Sequence, residues 1–283
     1  MVRAARVRDS TPAMRCVYVD LDGTLLGPGA SLLRDAEGGF SLDGVRALQA
    51  CHRAEAEVVI YSGRRQAQVA EDARLIGQSA YIFEAGAGLV IDGELEWLTG
   101  DLIPREGRTI AEQIEEMGAP ALLLEHYAGR LEYHAPWHLN RDVSHLFRGL
   151  VDAFEVDALL REHGHGGLRL VDNGVVRSRS EALADLPFVR AYHLVPATAS
   201  KAGAVARHMQ ARGYTREECV AIGDSREDMA AADVVGAFWL VANALERDPT
   251  LREAIAGRAN VRVAEGAYGA GVYEAVVTTL AER

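Results

Sequence analysis

Two aspartates, in Asp20-Leu21-Asp22-Gly23-Thr24, directly follow the apolar run Cys16-Val17-Tyr18-Val19. In a turn beyond a strand end two such carboxylates can converge. Their repulsion then calls for a cation, and hard oxygen donors suit Mg²⁺. One carboxylate can attack an electrophile while the other carries a proton. An ordinary acidic turn has the same composition, so the pair alone decides nothing. Ser62-Gly63-Arg64 offers a hydroxyl, a glycine amide and a helix start, which form a phosphate cradle or simply an N-cap. Lys201 opens another helical stretch after Thr198-Ala199-Ser200 and is the only lysine among the 30 basic residues. In a chain that uses arginine everywhere else, a retained lysine points to a need for a compact ammonium rather than a planar fork. The fourth element, Gly223-Asp224-Ser225-Arg226-Glu227-Asp228-Met229, again places carboxylates at a strand end and helix start, where they also complement the helix dipole.

The elements that must hold these residues are legible as alternation. Strands are predicted at Cys16–Val19, Glu57–Tyr61 and Ala80–Phe83. Between them lie a helix capped by Ser41, with Leu42, Val45 and Leu48 on one face, and a helix carrying Val69, Ala73 and Ile76. Continuous rather than alternating apolar strands argue for a parallel sheet covered on both faces. The pattern returns with a helix after Ser200, strands over 219–222 and 234–241, a short helix over 226–232 and a last helix over 273–280. The stretch 92–195 differs in character and holds five of the nine histidines between Arg130 and Ser180. A helix capped by Asn140 is predicted from the spacing of Val143, Leu146, Phe147, Leu150, Val151 and Phe154. Asp172-Asn173-Gly174 reads as a hairpin turn between 168–171 and Val175-Val176. The expected architecture is α/β: a Rossmann-like parallel-sheet core over 14–91 and 196–283, an inserted α+β unit over 92–195, and a mobile tail over 1–13.

Asp20-Leu21-Asp22-Gly23-Thr24-Leu25-Leu26, Ser62, Lys201, and Gly223-Asp224 with Asp228 resemble, in order, the four motifs of haloacid-dehalogenase-like (HAD) hydrolases. The chain is most similar to the Cof-like phosphatases, which carry a large cap domain between motifs II and III. The order of elements also resembles that of mannosyl-3-phosphoglycerate phosphatases. Phe83-Glu84-Ala85-Gly86-Ala87 resembles a variant of the Glu-Asn-Gly segment that follows the third strand in capped members. The resemblance implies that Asp20 is the nucleophile forming an aspartyl-phosphate and that Asp22 is the acid and base. It further implies that Ser62, Gly63 and Lys201 bind phosphate, and that Mg²⁺ is held by Asp20, the Asp22 carbonyl and Asp224, with Asp228 in support. Glu227 departs from the Asn found there in many members, and an anion cannot donate to phosphate.

A net charge of −11 on 283 residues repels polyanions, so nucleic acid is not an expected partner. The longest nearly apolar run, 234–245, is shorter than the roughly 20 residues that span a bilayer, so no membrane association is expected. Three widely spaced cysteines, Cys16, Cys51 and Cys219, argue against a disulfide framework and for a reducing cytoplasm. Within the cap, Arg141, Arg148, Arg169, Arg177, Arg179, His134 and His138 are candidates to select an anionic or polyhydroxylated substrate. His138, Asp142 and His145 have the spacing of a helical metal site but lack a further ligand, and none is expected there. The leading expectation is a cytoplasmic Mg²⁺-dependent phosphatase of small phosphorylated metabolites, a sugar phosphate or phosphoglycerate derivative. The alternatives are a phosphomutase on the same scaffold and a non-catalytic module that binds a phosphorylated ligand, against which the intact Asp20–Asp22 pair argues. Composition leaves the oligomeric state open.

Overall fold

The structure is a computed structural model that describes residues 13–176 and 180–283. Arg177, Arg179 and all but the last residue of the expected tail lie outside the described residues. The chain begins with β1 (Cys16–Val19), α1 (Asp43–Arg53), β2 (Glu57–Tyr61), α2 (Gln66–Leu75), β3 (Ala80–Phe83), β4 (Gly88–Ile91) and β5 (Glu94–Trp97). It continues through α3 (Ile110–Glu116), α4 (Ala119–His126), β6 (Leu131–Tyr133), β7 (His145–Gly149), α5 (Ala153–Glu162), β8 (Leu168–Val176) and β9 (Val189–Pro196). The last stretch is α6 (Lys201–Arg212), β10 (Cys219–Gly223), α7 (Arg226–Met229), β11 (Ala237–Leu240), α8 (Ala242–Arg247), α9 (Leu251–Ile255), β12 (Val261–Val263) and α10 (Tyr268–Ala281).

Two sheets result. The larger has the order β12-β11-β10-β1-β2-β3-β4-β5. It is parallel from β12 to β3 and ends in the antiparallel pairs β3–β4 and β4–β5. Every residue of β1 is buried, which is why this strand reads as an unbroken apolar run. Val17 and Val19 pack with Ala47 and Cys51 of α1 and Val272, Ala275 and Val276 of α10. Cys16 and Tyr18 face the other layer, with Ala204, Val205 and Met209 of α6. Each fully buried Val or Ile contributes roughly 1.5–3 kcal/mol, enough to hold strands only four residues long between two helical layers. The smaller sheet, β6-β7-β9-β8, is antiparallel and shares a separate core with α3, α4 and α5.

Several predicted elements change. Over 143–154 there is no continuous helix: β7 occupies the first half and α5 starts only after Asp152, whose side chain caps Phe154 and Glu155. β7 lies between β6 and β9 and is buried along its whole length, so apolar residues fall on both faces and imitate a helical stripe. Asp172-Asn173-Gly174 is not a hairpin turn. β8 runs through it, and the register with β9 slips between Asp172 and Val175 at Gly174, whose φ is +93°. Ser41 lies one residue before the helix cap, Leu42, and its hydroxyl accepts from the Asp43 N–H at 3.1 Å. The strand predicted over 234–241 starts at Ala237, and the final helix starts at Tyr268, whose N–H donates to Asn243 Oδ1 at 2.8 Å.

One glycine couples the sheet to the helix that carries the lysine. Gly86 has φ +89°, and a Cβ there would lie 2.1 Å from the Ser200 carbonyl oxygen and 2.6 Å from the Lys201 nitrogen. Gly86→Ala should therefore cost about 2–4 kcal/mol through left-handed strain and overpacking against the start of α6. Chemical denaturation of the two proteins checks this, with a lower midpoint expected for the variant.

Candidate active site

The four sequence elements meet at the C-terminal end of the parallel strands, where open α/β sheets place ligands. Asp20 continues the β1–β10 ladder by one residue, its N–H donating to the Ile222 carbonyl at 3.0 Å. The chain then turns sharply, with Leu25 N–H donating back to the Asp20 carbonyl and Leu26 N–H to that of Leu21. Gly23 permits this turn at φ +97°, and a Cβ there would lie 2.2 Å from Asp224 Oδ2.

Lys201 is the first residue of α6 and is 1% exposed. Its ammonium donates to Asp20 Oδ1 at 2.8 Å and Asp228 Oδ1 at 2.5 Å and stands 4.9 Å from the Tyr61 ring centre. The other Asp228 oxygen accepts from the Asp224 and Ser225 N–H groups and the Ser225 hydroxyl, so Asp228 braces both the lysine and the loop of Asp224. Burial works against the charge on Lys201, but Asp20 and Asp228 hold it above the ordinary lysine range. Burial pushes the Asp20 carboxyl up to about 7, with Asp228 and Asp22 adding to the rise against the opposing pull of Lys201. Asp224 is raised well above the carboxylate range by burial and by Asp20 and Asp228, although Arg247 lies 3.2 Å away. One ammonium does not balance these acids. Oxygens of Asp20, Asp224 and Asp228 lie within 4.8 Å of one another, an all-oxygen set that fits a hard dication such as Mg²⁺.

Asp22 points elsewhere. Its carboxylate is gripped on both oxygens by Arg64, from Nε at 2.6 Å and Nη2 at 2.7 Å, while Nη1 of the same guanidinium donates to Asp72 at 2.9 Å. Ser62 is buried after β2, and its hydroxyl accepts from the Arg64 N–H at 3.2 Å. Asp20, Asp22, Ser62, Gly63 and Asp224 form one wall of a cavity of about 550 Å³ between the two sheets. Glu227 turns away from it, accepting from the Lys201 N–H at 3.1 Å and pairing with Arg169 at 3.2 Å.

The opposite wall carries Trp137, Leu146, Val176 and Ala191, with His134, Asn173 and His193 as polar points. Of the arginines expected to select substrate, Arg141 reaches the cavity with its guanidinium committed to the carbonyls of Gly63 and Trp137 and to Ser144 Oγ. Arg148 donates to Glu132, and Arg169 to the Ala199 carbonyl and Glu227. His134 does line the cavity, and burial, with Arg148 and Arg141 nearby, pushes it down to about 4. His138 instead stacks on Tyr133 at 4.9 Å. His145 sits on β7 with Nε2 2.9 Å from the Ala111 carbonyl, so no metal group forms with His138 and Asp142.

The sequence motifs give no catalytic or binding role to Glu84, Asn173 or His193. Glu84 is fully buried, and its carboxylate accepts from the N–H groups of Asp142, Val143 and Ser144 and from Ser144 Oγ. This clasp joins β3 of the large sheet to the approach of β7, and holds Glu84 and Ala85 at φ +46° and +58° despite the strain. His193, also buried, has Nδ1 3.1 Å from Ser144 Oγ. Arg190 makes a further link between the sheets, pairing with Asp172 at 2.7 Å and Asp248 at 2.8 Å. No local signal marks Asn173 or His193, since both acquire their position through strand register.

No protein-family model and no curated protein sequence matches the chain. Solved structures do. The sucrose-phosphatase from Synechocystis, solved with sucrose and phosphate, superposes with a TM-score of 0.62 at 14% identity, over 95% of this chain and 98% of that one. A phosphatase of the haloalkanoate superfamily from Bacteroides thetaiotaomicron gives 0.62 at 16% identity, over 98% of each chain. A haloacid dehalogenase-like hydrolase from B. subtilis gives 0.56 at 19% identity, over 93% of this chain and 99% of that one. The chain therefore has the fold of the haloacid-dehalogenase-like hydrolases, with the parallel sheet and the second α+β sheet both included.

Proposed function

We propose that the chain is a Mg²⁺-dependent phosphatase of small phosphorylated metabolites, acting through an aspartyl-phosphate on Asp20. The observation that carries this reading is the division of labour between the two aspartates. Asp20 is buried against an ammonium, whereas Asp22 lies in the same cavity with its side chain 52% exposed and oriented by a bidentate guanidinium. A carboxylate oxygen of Asp20 attacks phosphorus and the ester P–O bond breaks, while Asp22, carrying a proton on an oxygen released from the Arg64 fork, gives that proton to the departing alkoxide. Asp22 then takes a proton from water, whose oxygen attacks phosphorus and breaks the Asp20–phosphorus link to release inorganic phosphate. Lys201, 2.8 Å from Asp20, lies beside the negative charge that gathers on the phosphoryl oxygens, and Ser62 and the Gly63 amide bind the same oxygens. Mg²⁺, held by Asp20, the Asp22 carbonyl and Asp224 with Asp228 bracing the loop, would offset the excess acid charge and polarise the phosphoryl group when bound.

The four-stranded unit serves as the cap. An apolar wall broken by His134, Asn173 and His193, around a cavity of about 550 Å³, suits a small leaving group with hydroxyls better than a macromolecule. The similar fold of a phosphatase solved with sucrose and phosphate supports a sugar phosphate among the candidates.

Hydrolysis of p-nitrophenyl phosphate with and without Mg²⁺ tests the reading. Asp20→Asn should lose nearly all Mg²⁺-dependent turnover, and a variant as active as wild type refutes it. With a sugar monophosphate, release of inorganic phosphate is expected; isomer without phosphate would indicate a mutase. Lys201→Arg keeps the charge but brings a planar, larger group into a buried position, so kcat should fall at least about tenfold. Arg64→Met frees Asp22 without touching Asp20. It should lower kcat about 10- to 100-fold with a smaller change in KM, as expected when a proton donor loses its orientation.

A further inference from the structure

At the opposite end of the parallel strands lies a second cluster of ligating side chains that the phosphatase reading leaves unused. Cys219, Cys16 and Glu57 are register partners across β10, β1 and β2, so their side chains share one face of the sheet. Onto this face α6 brings His208, two helical turns after Lys201. Ligating atoms of Cys16, Glu57 and His208 lie within 4.8 Å of one another, and His208 Nε2 is 3.6 Å from Glu57 Oε2. Cys16 begins β1 and Asp20 follows its end, so about 13 Å of strand separates this cluster from the acidic one.

The histidine is the telling member. His208 is fully buried, and its Nε2 has no hydrogen-bond partner, whereas Nδ1 lies 2.8 Å from the Tyr18 hydroxyl. The nearest acceptor for a proton on Nε2 is Glu57 Oε2 at 3.6 Å, beyond hydrogen-bond distance. With the proton on Nδ1, Tyr18 accepts it, and the Nε2 lone pair faces Cys16 and Glu57. A second hydrogen bond that fixes the tautomer in this way is the usual companion of a metal-bound imidazole. Glu57 is held in place by Tyr214 at 2.9 Å and by Arg212 at 3.0 Å.

We propose that Cys16, Glu57 and His208 form a structural site for a thiophilic divalent cation, Zn²⁺ by its chemistry, with Cys219 or a water as the fourth ligand. Tetrahedral bonds of about 2.0–2.3 Å put ligand atoms roughly 3.3–3.8 Å apart. The Glu57–His208 pair is already at that spacing, and the rest of the cluster needs to contract by about 1 Å. Sulfur and imidazole select zinc over magnesium, which prefers an all-oxygen shell. A thiolate and a carboxylate balance the dication. Of the three residues, Glu57 also lines a surface hollow, with Arg15, His52, Glu55 and Tyr214.

Cobalt(II) serves as the probe, added to chelator-treated full-length protein in excess Mg²⁺. One equivalent should bind with a near-ultraviolet thiolate-to-cobalt charge-transfer band, and Zn²⁺ should abolish the band by displacement and raise Tm. Cobalt on the oxygen ligands of the acidic cluster gives no such band, and Asp224→Asn should keep it. Cys16→Ser should lose the band, and Glu57→Gln, at the edge of the cluster, should weaken cobalt binding at least tenfold. Absence of the band in the wild-type protein overturns the proposal whatever the variants do, and so does a band that survives in folded Cys16→Ser.

Discussion

A single buried ammonium sets the terms for this structure. Placing Lys201 in the interior costs several kcal/mol of hydration unless its charge is met by fixed acceptors, and the fold meets it with two carboxylates, Asp20 just past β1 and Asp228 in α7. That requirement propagates outward. Asp228 can face the lysine only because its other oxygen is saturated by the Ser225 hydroxyl and the backbone of its own loop. Asp20 can do so only because β1 and β10 are paired in a register that ends at its N–H. The helix start must in turn sit where Gly86 leaves room for Ser200 and Lys201. The strand ends, the glycine contacts and the Ser225–Asp228 hydrogen bonds at the start of α7 therefore serve one electrostatic arrangement, in which acids still outnumber bases.

How much of this was legible in the sequence depended on how local the cause was. Strands such as Cys16–Val19 are buried on both faces and announce themselves as apolar runs, and the motif residues lie where those runs stop. Lys201 stood out through composition, and its position at a helix start followed from the Ser200 cap, which the structure contains. β7 misled because burial on both faces erases the alternation that marks a strand, and the residual spacing matches a helix. Gly174 misled because a bulge and a turn ask for the same residue. Glu84, Arg64 and His193 gain their positions from partners far along the chain, at Ser144, Asp22 and again Ser144, and such pairings leave no periodic trace.

The helix α6 joins the two ends of the molecule. Its first residue meets the carboxylates at the top of the sheet, and His208 meets Tyr18 and Glu57 at the bottom. The same strand, β1, supplies Asp20 to one end and Cys16 to the other. A tie at the lower end thus fixes the helix axis against the strand and leaves the lysine little freedom to drift along it.

The links between the two sheets are of two physical kinds. The Glu84 clasp is dry and made with backbone N–H groups, so dissolved ions reach it poorly. Arg190 with Asp248, and Arg169 with Glu227, are ion pairs nearer to solvent, whose attraction weakens as ionic strength rises. Rising ionic strength would therefore weaken the two ion pairs while leaving the Glu84 clasp intact, so the contacts between the sheets differ in their response to salt.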